Sequence, residues 1–224
     1  MRGLTKLAWV EFKLFTREFF ATFFTLAFPV MMLLFFGMIY GNEKTDFFGG
    51  YGMIDIAVPS YTAMIIATSG IISITTIIAS YRERGILRRL HATPLRPHTI
   101  LSAHVLVIFI MTVLGMTLLI IMGKLVYGLQ FQGNLLSVAA AFTLSSISFF
   151  SFGFLLAGLM PTARTAQAVA MVIFYPMIFL SGAAIPLEVL PENIKTVATF
   201  LPLKHVVTLL RGLWIGQDWN QHLT

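Results

Sequence analysis

The chain has 224 residues, 58% hydrophobic and only 11% charged, whereas a soluble domain carries about a quarter charged residues. One water-facing core cannot hide that much apolar surface, so an ordinary soluble enzyme is excluded. There is no cysteine, which excludes disulfides and thiolate metal sites. The formal net charge of +6 fits loops facing anionic lipid better than a nucleic-acid surface.

Residues 2–18 read as an amphipathic helix. Arg2, Lys6, Lys13 and Arg17 fall within an arc of about 60° at 100° per residue. Leu4, Leu7, Phe12 and Phe15 fill the opposite side, as in a helix lying in the membrane interface. Glu11 and Glu18 project from the middle of that apolar arc, so each is expected to meet a basic group.

Five runs without Asp, Glu, Lys or Arg follow, at residues 19–40, 56–81, 99–123, 135–160 and 165–187. Each reaches the roughly 20 residues that a helix needs to cross a bilayer. None shows the period-two alternation of a membrane barrel. The first run is too long for a cleaved signal peptide and lacks a small-x-small cleavage site. With no carboxylate, Lys or Arg inside the runs, His104 is the one candidate proton carrier, and its plainer reading is an interfacial histidine. Energy for uphill movement is therefore expected from another subunit. Gly37 and Gly41 form one Gly-x-x-x-Gly at the end of the first run.

Thr62, Ser69, Ser73, Thr76 and Ser80 share one face of the second span, within about 60°. They serve either to line a pathway at a dimer axis or to pack helices and bond back to backbone carbonyls. The sequence leaves both readings open.

The connection after this span carries Arg82, Glu83, Arg84, Arg88, Arg89 and Arg96. Residues 82–91 read as a short helix stopped before Pro94. Ile86 and Leu90 share one of its faces, and Arg84 and Arg88 another. A membrane anchor needs the charge but not these ordered faces, so a docking segment is the better reading.

Basic residues set the orientation. An inside N-terminus puts ten Lys and Arg inside and five outside. Beyond the fifth run, residues 188–214 are amphipathic but too interrupted to span. Ile194, Val197, Ala198 and Leu201 follow a helical rhythm, and Leu203, Val207 and Leu210 share a face after Pro202. They read as two short helices at the outer leaflet, followed by a tail at 215–224.

Catalytic signatures are lacking. The Gly123-Lys124 pair has Leu118 and Leu125 where a nucleotide-binding loop needs Gly and Ser or Thr. No serine-hydrolase elbow and no His-Glu-x-x-His occur. His91 and His98 lack a third ligand. No cofactor, metal or nucleic acid is expected.

Arg82-Glu83-Arg84-Gly85 followed by Ala92-Thr93-Pro94-Leu95 resembles the cytoplasmic loop of ABC-2-type permeases, the membrane subunits of a class of ATP-binding-cassette exporters. A second series is similar to the family's stretch after its fifth helix. It comprises Ser181-Gly182, Pro186, Glu188, Pro191, Pro202, Arg211 and Gly216. The resemblance implies one transmembrane domain over residues 1–224 and a homodimer or heterodimer of permeases docked on ATP-binding subunits. It implies contact with those subunits through Glu83, Arg84, Gly85, Ile86, Arg88 and Leu90, together with the N-terminal helix. The family has six spans where this chain shows five, its sixth following the position where this chain stops.

The expected architecture is thus an all-α polytopic membrane protein with an interfacial helix, five spans, a short coupling helix and an outer-face helix pair. Its expected function is that of an exporter permease in the cell membrane, without catalysis of its own. Uncharged, Phe-rich spans suit an amphipathic or lipid-like substrate. The rival reading is a non-transport membrane protein, such as an assembly factor or sensor subunit.

The orientation is testable with single cysteines at 88 and 195, since the chain has none of its own. In intact cells an impermeant thiol reagent is expected to label position 195 and spare 88. The reverse pattern would invert the topology.

Overall fold

The computed structural model describes residues 9, 10, 12, 13, 15–17, 22–46, 49–86, 97–185 and 191–219, without the side chains of 97–100 and 192. Five helices are long and apolar enough to cross a membrane. They are α1 (Phe23–Tyr40), α2 (Met53–Glu83), α3 (Pro97–Tyr127), α4 (Leu135–Leu159) and α5 (Ala163–Leu180). Two short helices follow, α6 (Glu192–Ala198) and α7 (Pro202–Trp214). The only β pairing among the described residues is an isolated bridge between Thr45 and Tyr51. The protein is an all-α, multi-pass membrane protein.

The centre of the bundle is α2, which touches α1, α3, α4, α5 and α7. Every residue from Met53 to Ala67 is buried. A helix that is apolar on all sides is stable only when neighbours cover every side. The other long helices are buried on one stripe and present apolar side chains outward, among them Phe35, Leu106, Ile147, Leu155 and Val172. Such a belt would aggregate in water and is at ease in lipid.

Close approach of α2 and α4 depends on two glycines. A Cβ on Gly70 would lie 2.5 Å from the Phe149 carbonyl oxygen, and one on Gly153 would overlap the Gly70 carbonyl. Small residues play this role in membrane helices because dispersion, not hydrophobic exclusion, holds them together there. The crossing coincides with a π-helical stretch of α2, Thr68–Ile74. Just below it the Thr75 hydroxyl donates to the Gly153 carbonyl at 3.2 Å.

Three boundaries differ from expectation. The second helix starts at Met53, not 56, and so carries Asp55 inside the buried segment. The reading that no carboxylate lies within the spans is corrected accordingly. The fifth helix ends at Leu180 instead of running to 187. Gly182 has φ +84° there, and the Ala184 N–H donates to the Ile178 carbonyl at 3.1 Å, a glycine stop that charge counting does not see. Finally, 82–91 is not one helix. Arg82 and Glu83 complete α2, and Gly85 at φ +66° breaks the chain direction. Of the short helix expected next, only Ile86 falls within the described residues.

The Gly-x-x-x-Gly of α1 divides in two. Gly37 lies against the Tyr127 ring, whose hydroxyl donates to the Leu34 carbonyl at 2.9 Å. Gly41, at φ +65°, ends the helix. On the N-terminal segment, residues 9, 10, 12, 13 and 15–17 are helical, with Phe15 buried and Lys13 and Arg17 exposed. Glu11 and Glu18 lie outside the described residues.

At the opposite end of the bundle α7 turns Leu203, Val206, Val207, Leu210 and Leu213 inward. It rests on the α3–α4 connection, where the Gln132 N–H donates to the Trp214 carbonyl at 3.3 Å. The Phe131 and Trp214 rings meet edge to face there.

Overpacking the α2–α4 crossing should be costly. Gly153→Ala is expected to destabilise the protein by about 1–3 kcal/mol, read as a lower melting temperature in detergent, whereas Gly158→Ala should be mild because a Cβ there meets open space.

Candidate functional site

The expected coupling residues sit where α2 ends beside the α4–α5 turn. The Arg82 guanidinium donates from Nη1 to the Gly158 carbonyl at 2.9 Å. Glu83 Oε2 accepts the Ala163 N–H at 2.7 Å. Both bonds answer helix chemistry. Gly158 is among the last carbonyls of α4, where the helix dipole is negative, and Ala163 is the first residue of α5, where it is positive. Two adjacent residues of opposite charge therefore staple both halves of one helical hairpin. The Thr162–Thr165 capping box completes the start of α5.

Glu83 thus spends its carboxylate inside the chain. Arg84 is exposed, Gly85 makes the turn and Ile86 is half-buried. Arg88 and Leu90 lie outside the described residues.

The hydroxyl stripe of α2 splits. Thr62 donates back to the Val58 carbonyl at 2.8 Å. Ser69 accepts from the Thr112 hydroxyl of α3 at 3.0 Å. Both are buried within the bundle. Lower down, the Ser73 and Thr76 hydroxyls are buried without a hydrogen-bond partner among the described residues.

Thr76 and Ser80 line a cavity of about 460 Å³ whose wall includes Tyr81, Arg84, His104 and Phe15. It lies between the N-terminal helix and the ends of α2, α3 and α5. The Tyr81 and His104 rings stand 5.8 Å apart, centroid to centroid. Toward the middle of the bundle, Phe15, Ile74, Ile108 and Met111 form one buried cluster.

The later motif is a series of helix boundaries. Buried Ser181 caps α5, Gly182 turns the chain, Pro191 precedes α6 and Pro202 opens α7. Arg211 sits in the last turn of α7, where its charge suits the dipole. Pro186 and Glu188 lie outside the described residues.

A second polar cluster escaped the sequence reading. Asp55 is 3% exposed. Its Oδ1 accepts the Gln130 N–H at 2.9 Å and the Asn42 amide at 3.3 Å. Asn42 in turn donates to the Tyr127 carbonyl and accepts the Ile54 N–H. The cluster ties the far ends of α1, α2 and α3. The available signal was an acidic residue in the first turn of a helix, hidden because the apolar run was counted from the residue after it. Among the described residues no three His, Asp or Glu side chains stand together as a metal site.

Comparison with known proteins settles the family. The profile described as ABC-2 type transporter matches residues 3–214. The chain belongs to the ABC-2 type transporter family. The probable multidrug ABC transporter permease YbhR of Escherichia coli K12 is 27% identical over 159 residues, covering 70% of this chain and 43% of that protein. YbhS of the same strain, also called a probable multidrug ABC transporter permease, is 24% identical over 160 residues, 71% of this chain and 42% of that protein. Nodulation protein J of Rhizobium leguminosarum bv. trifolii is 32% identical over 93 residues, 40% of this chain and 36% of that protein. The matched stretch thus spans less than half the length of each of these relatives.

The Asp55 cluster carries a stability prediction. Asp55→Ala leaves the Gln130 N–H and the Asn42 amide without their acceptor and is expected to cost about 1–3 kcal/mol. Asp55→Asn, which keeps an acceptor oxygen, should lose less. Melting temperatures of the two purified variants decide the order.

Proposed function

We propose that this chain is the membrane subunit of an exporter, driven by a separate ATP-binding subunit that docks at the Arg-rich end of the bundle. The family assignment supports a transporter role. The charge asymmetry supports a cytoplasmic N-terminus in the cell membrane. The segment beyond Glu83, from Arg84 to Leu90, receives the partner, and a second permease, identical or related, completes the pathway.

The observation that carries the reading is the Arg82–Glu83 staple. Force applied just beyond Gly85 reaches α2 directly. It reaches α4 through Gly158 and α5 through Ala163, because both are bonded to the last two residues of α2. A docking event at one surface thereby moves three spans together. Coupling of two sites requires such a shared element with more than one arrangement, and the π-helical stretch above it supplies a place for α2 to yield. The cavity beside the staple opens at the same end and offers the transported molecule an entry within reach of the moving parts.

The test separates docking from transmission. With the ATP-binding subunit co-expressed, Glu83→Ala should leave co-purification intact and lower substrate-stimulated ATP hydrolysis about fivefold or more, in the range of ordinary coupling energies. Glu83→Gln, which retains the acceptor oxygen, should keep most of the stimulation. Arg88→Ala should reduce co-purification itself. Unchanged stimulation in Glu83→Ala would remove the staple from the transmission path.

A further inference from the structure

The cavity at the Arg-rich end has features of a ligand site that its packing role does not need. At about 460 Å³ it falls in the range of small-molecule pockets. Its lining mixes apolar Phe15, Ile77 and Val107 with polar Thr76, Ser80, Arg84 and His104. The Thr76 oxygen is buried with no hydrogen-bond partner among the described residues. A buried hydroxyl without a partner is unfavourable and rare in native proteins, so it calls for a partner that the described residues do not supply.

The charge of the site is one-sided. Among the described lining residues Arg84 is the one Lys, Arg, Asp or Glu, and His104 stands in the same wall. Lys13 and Arg17 are exposed on the side of the N-terminal helix opposite Phe15, and Arg164 at the start of α5 is exposed. Among the described residues the one carboxylate at this end is Glu83, and it is committed to the Ala163 N–H. Within the described lining itself a cation meets no carboxylate. An anion meets a guanidinium and two hydroxyl donors.

We propose that this cavity binds the anionic headgroup of a single-chain amphiphile, the headgroup on Arg84, Ser80 and Thr76 and the first part of the chain along Phe15, Ile77 and Val107. The amphiphile enters from the leaflet at the Arg-rich end. This deepens the exporter reading by naming the class of molecule the entry selects.

The test uses the full chain in nanodiscs of neutral phosphatidylcholine, with melting temperature as the readout. Decyl phosphate is the probe, and decyltrimethylammonium, decyl maltoside and inorganic phosphate are the comparisons. Decyl phosphate is expected to raise the melting temperature saturably, with the other three well behind. Arg84→Gln should weaken its apparent affinity about tenfold, and Arg84→Lys should recover part of that loss. Ser80→Leu, which fills the cavity, should abolish the shift.

Ser102→Leu is the control. It alters the separate apolar groove of about 650 Å³ between α3 and α4 and should leave the shift unchanged. An equal shift with decyltrimethylammonium would overturn headgroup selection. An equal shift with inorganic phosphate would reduce the site to a free-anion site and overturn the amphiphile. A shift that survives Ser80→Leu while disappearing in Ser102→Leu would move the ligand to the groove and overturn the proposal. The readout contains no ATP-binding subunit. Failure here therefore leaves the exporter reading standing, and failure of the coupling test leaves this one standing.

Discussion

Backbone pressed against backbone at Gly70 and Gly153 is the contact on which the bundle is organised. In lipid, apolar side chains gain nothing by leaving one apolar medium for another, so helices associate where their surfaces fit most closely. Two glycines at one crossing let α4 reach α2 without an intervening side chain. That brings the Thr75 hydroxyl to the Gly153 carbonyl and fixes the height at which the two helices cross. Their lower ends then meet in register, with Arg82 beside Gly158.

The polar groups complete what the apolar contacts begin. At one end, the Asp55 and Asn42 side chains fasten α2 to the connections around it. At the other, Arg82 and Glu83 fasten α2 to the α4–α5 turn. Buried polar groups in a membrane protein are retained when every one has work to do. Buried Asp55 holds one end of α2 and exposed Arg82 and Glu83 the other, while in its middle the Thr112–Ser69 and Thr75–Gly153 hydrogen bonds add to the close fit. That middle is also the π-helical stretch of α2, at its crossing with α4.

Between the lower clamp and the N-terminal helix the packing is incomplete, and the cavity is the result. Its walls are the same elements that the family resemblance assigns to contact with the ATP-binding subunit. Movement of the Arg84–Ile86 segment therefore changes the shape of the space that a ligand would occupy. On the proposed reading, binding and drive share Arg84 and Ile86, so neither is expected to be independent of the other.

Much of this was legible in the linear chain. The number and order of the spans follow from the absence of charge over long runs, because an unpaired charge in hydrocarbon is too costly to be placed at random. The end of α5 at Gly182 and the start of α7 at Pro202 follow from local backbone chemistry, although the glycine stop was overlooked when only charge was counted. What the chain could not disclose were partners remote in sequence. Glu83 looked like a surface residue because nothing near it in sequence accounts for its charge. Only the fold brings Ala163 to it. The hydroxyls of α2 share one face by periodicity alone, yet Thr62 and Ser69 are closed off while Thr76 and Ser80 line a cavity, a division set by how α3 leans on that face. Asp55 fell just outside the counted apolar run because burial cannot be read from a single charge. Periodicity and composition decide which segments become membrane helices. Which faces meet, and what space is left between them, depends on close contact between segments far apart in the chain, and only the tertiary structure decides that.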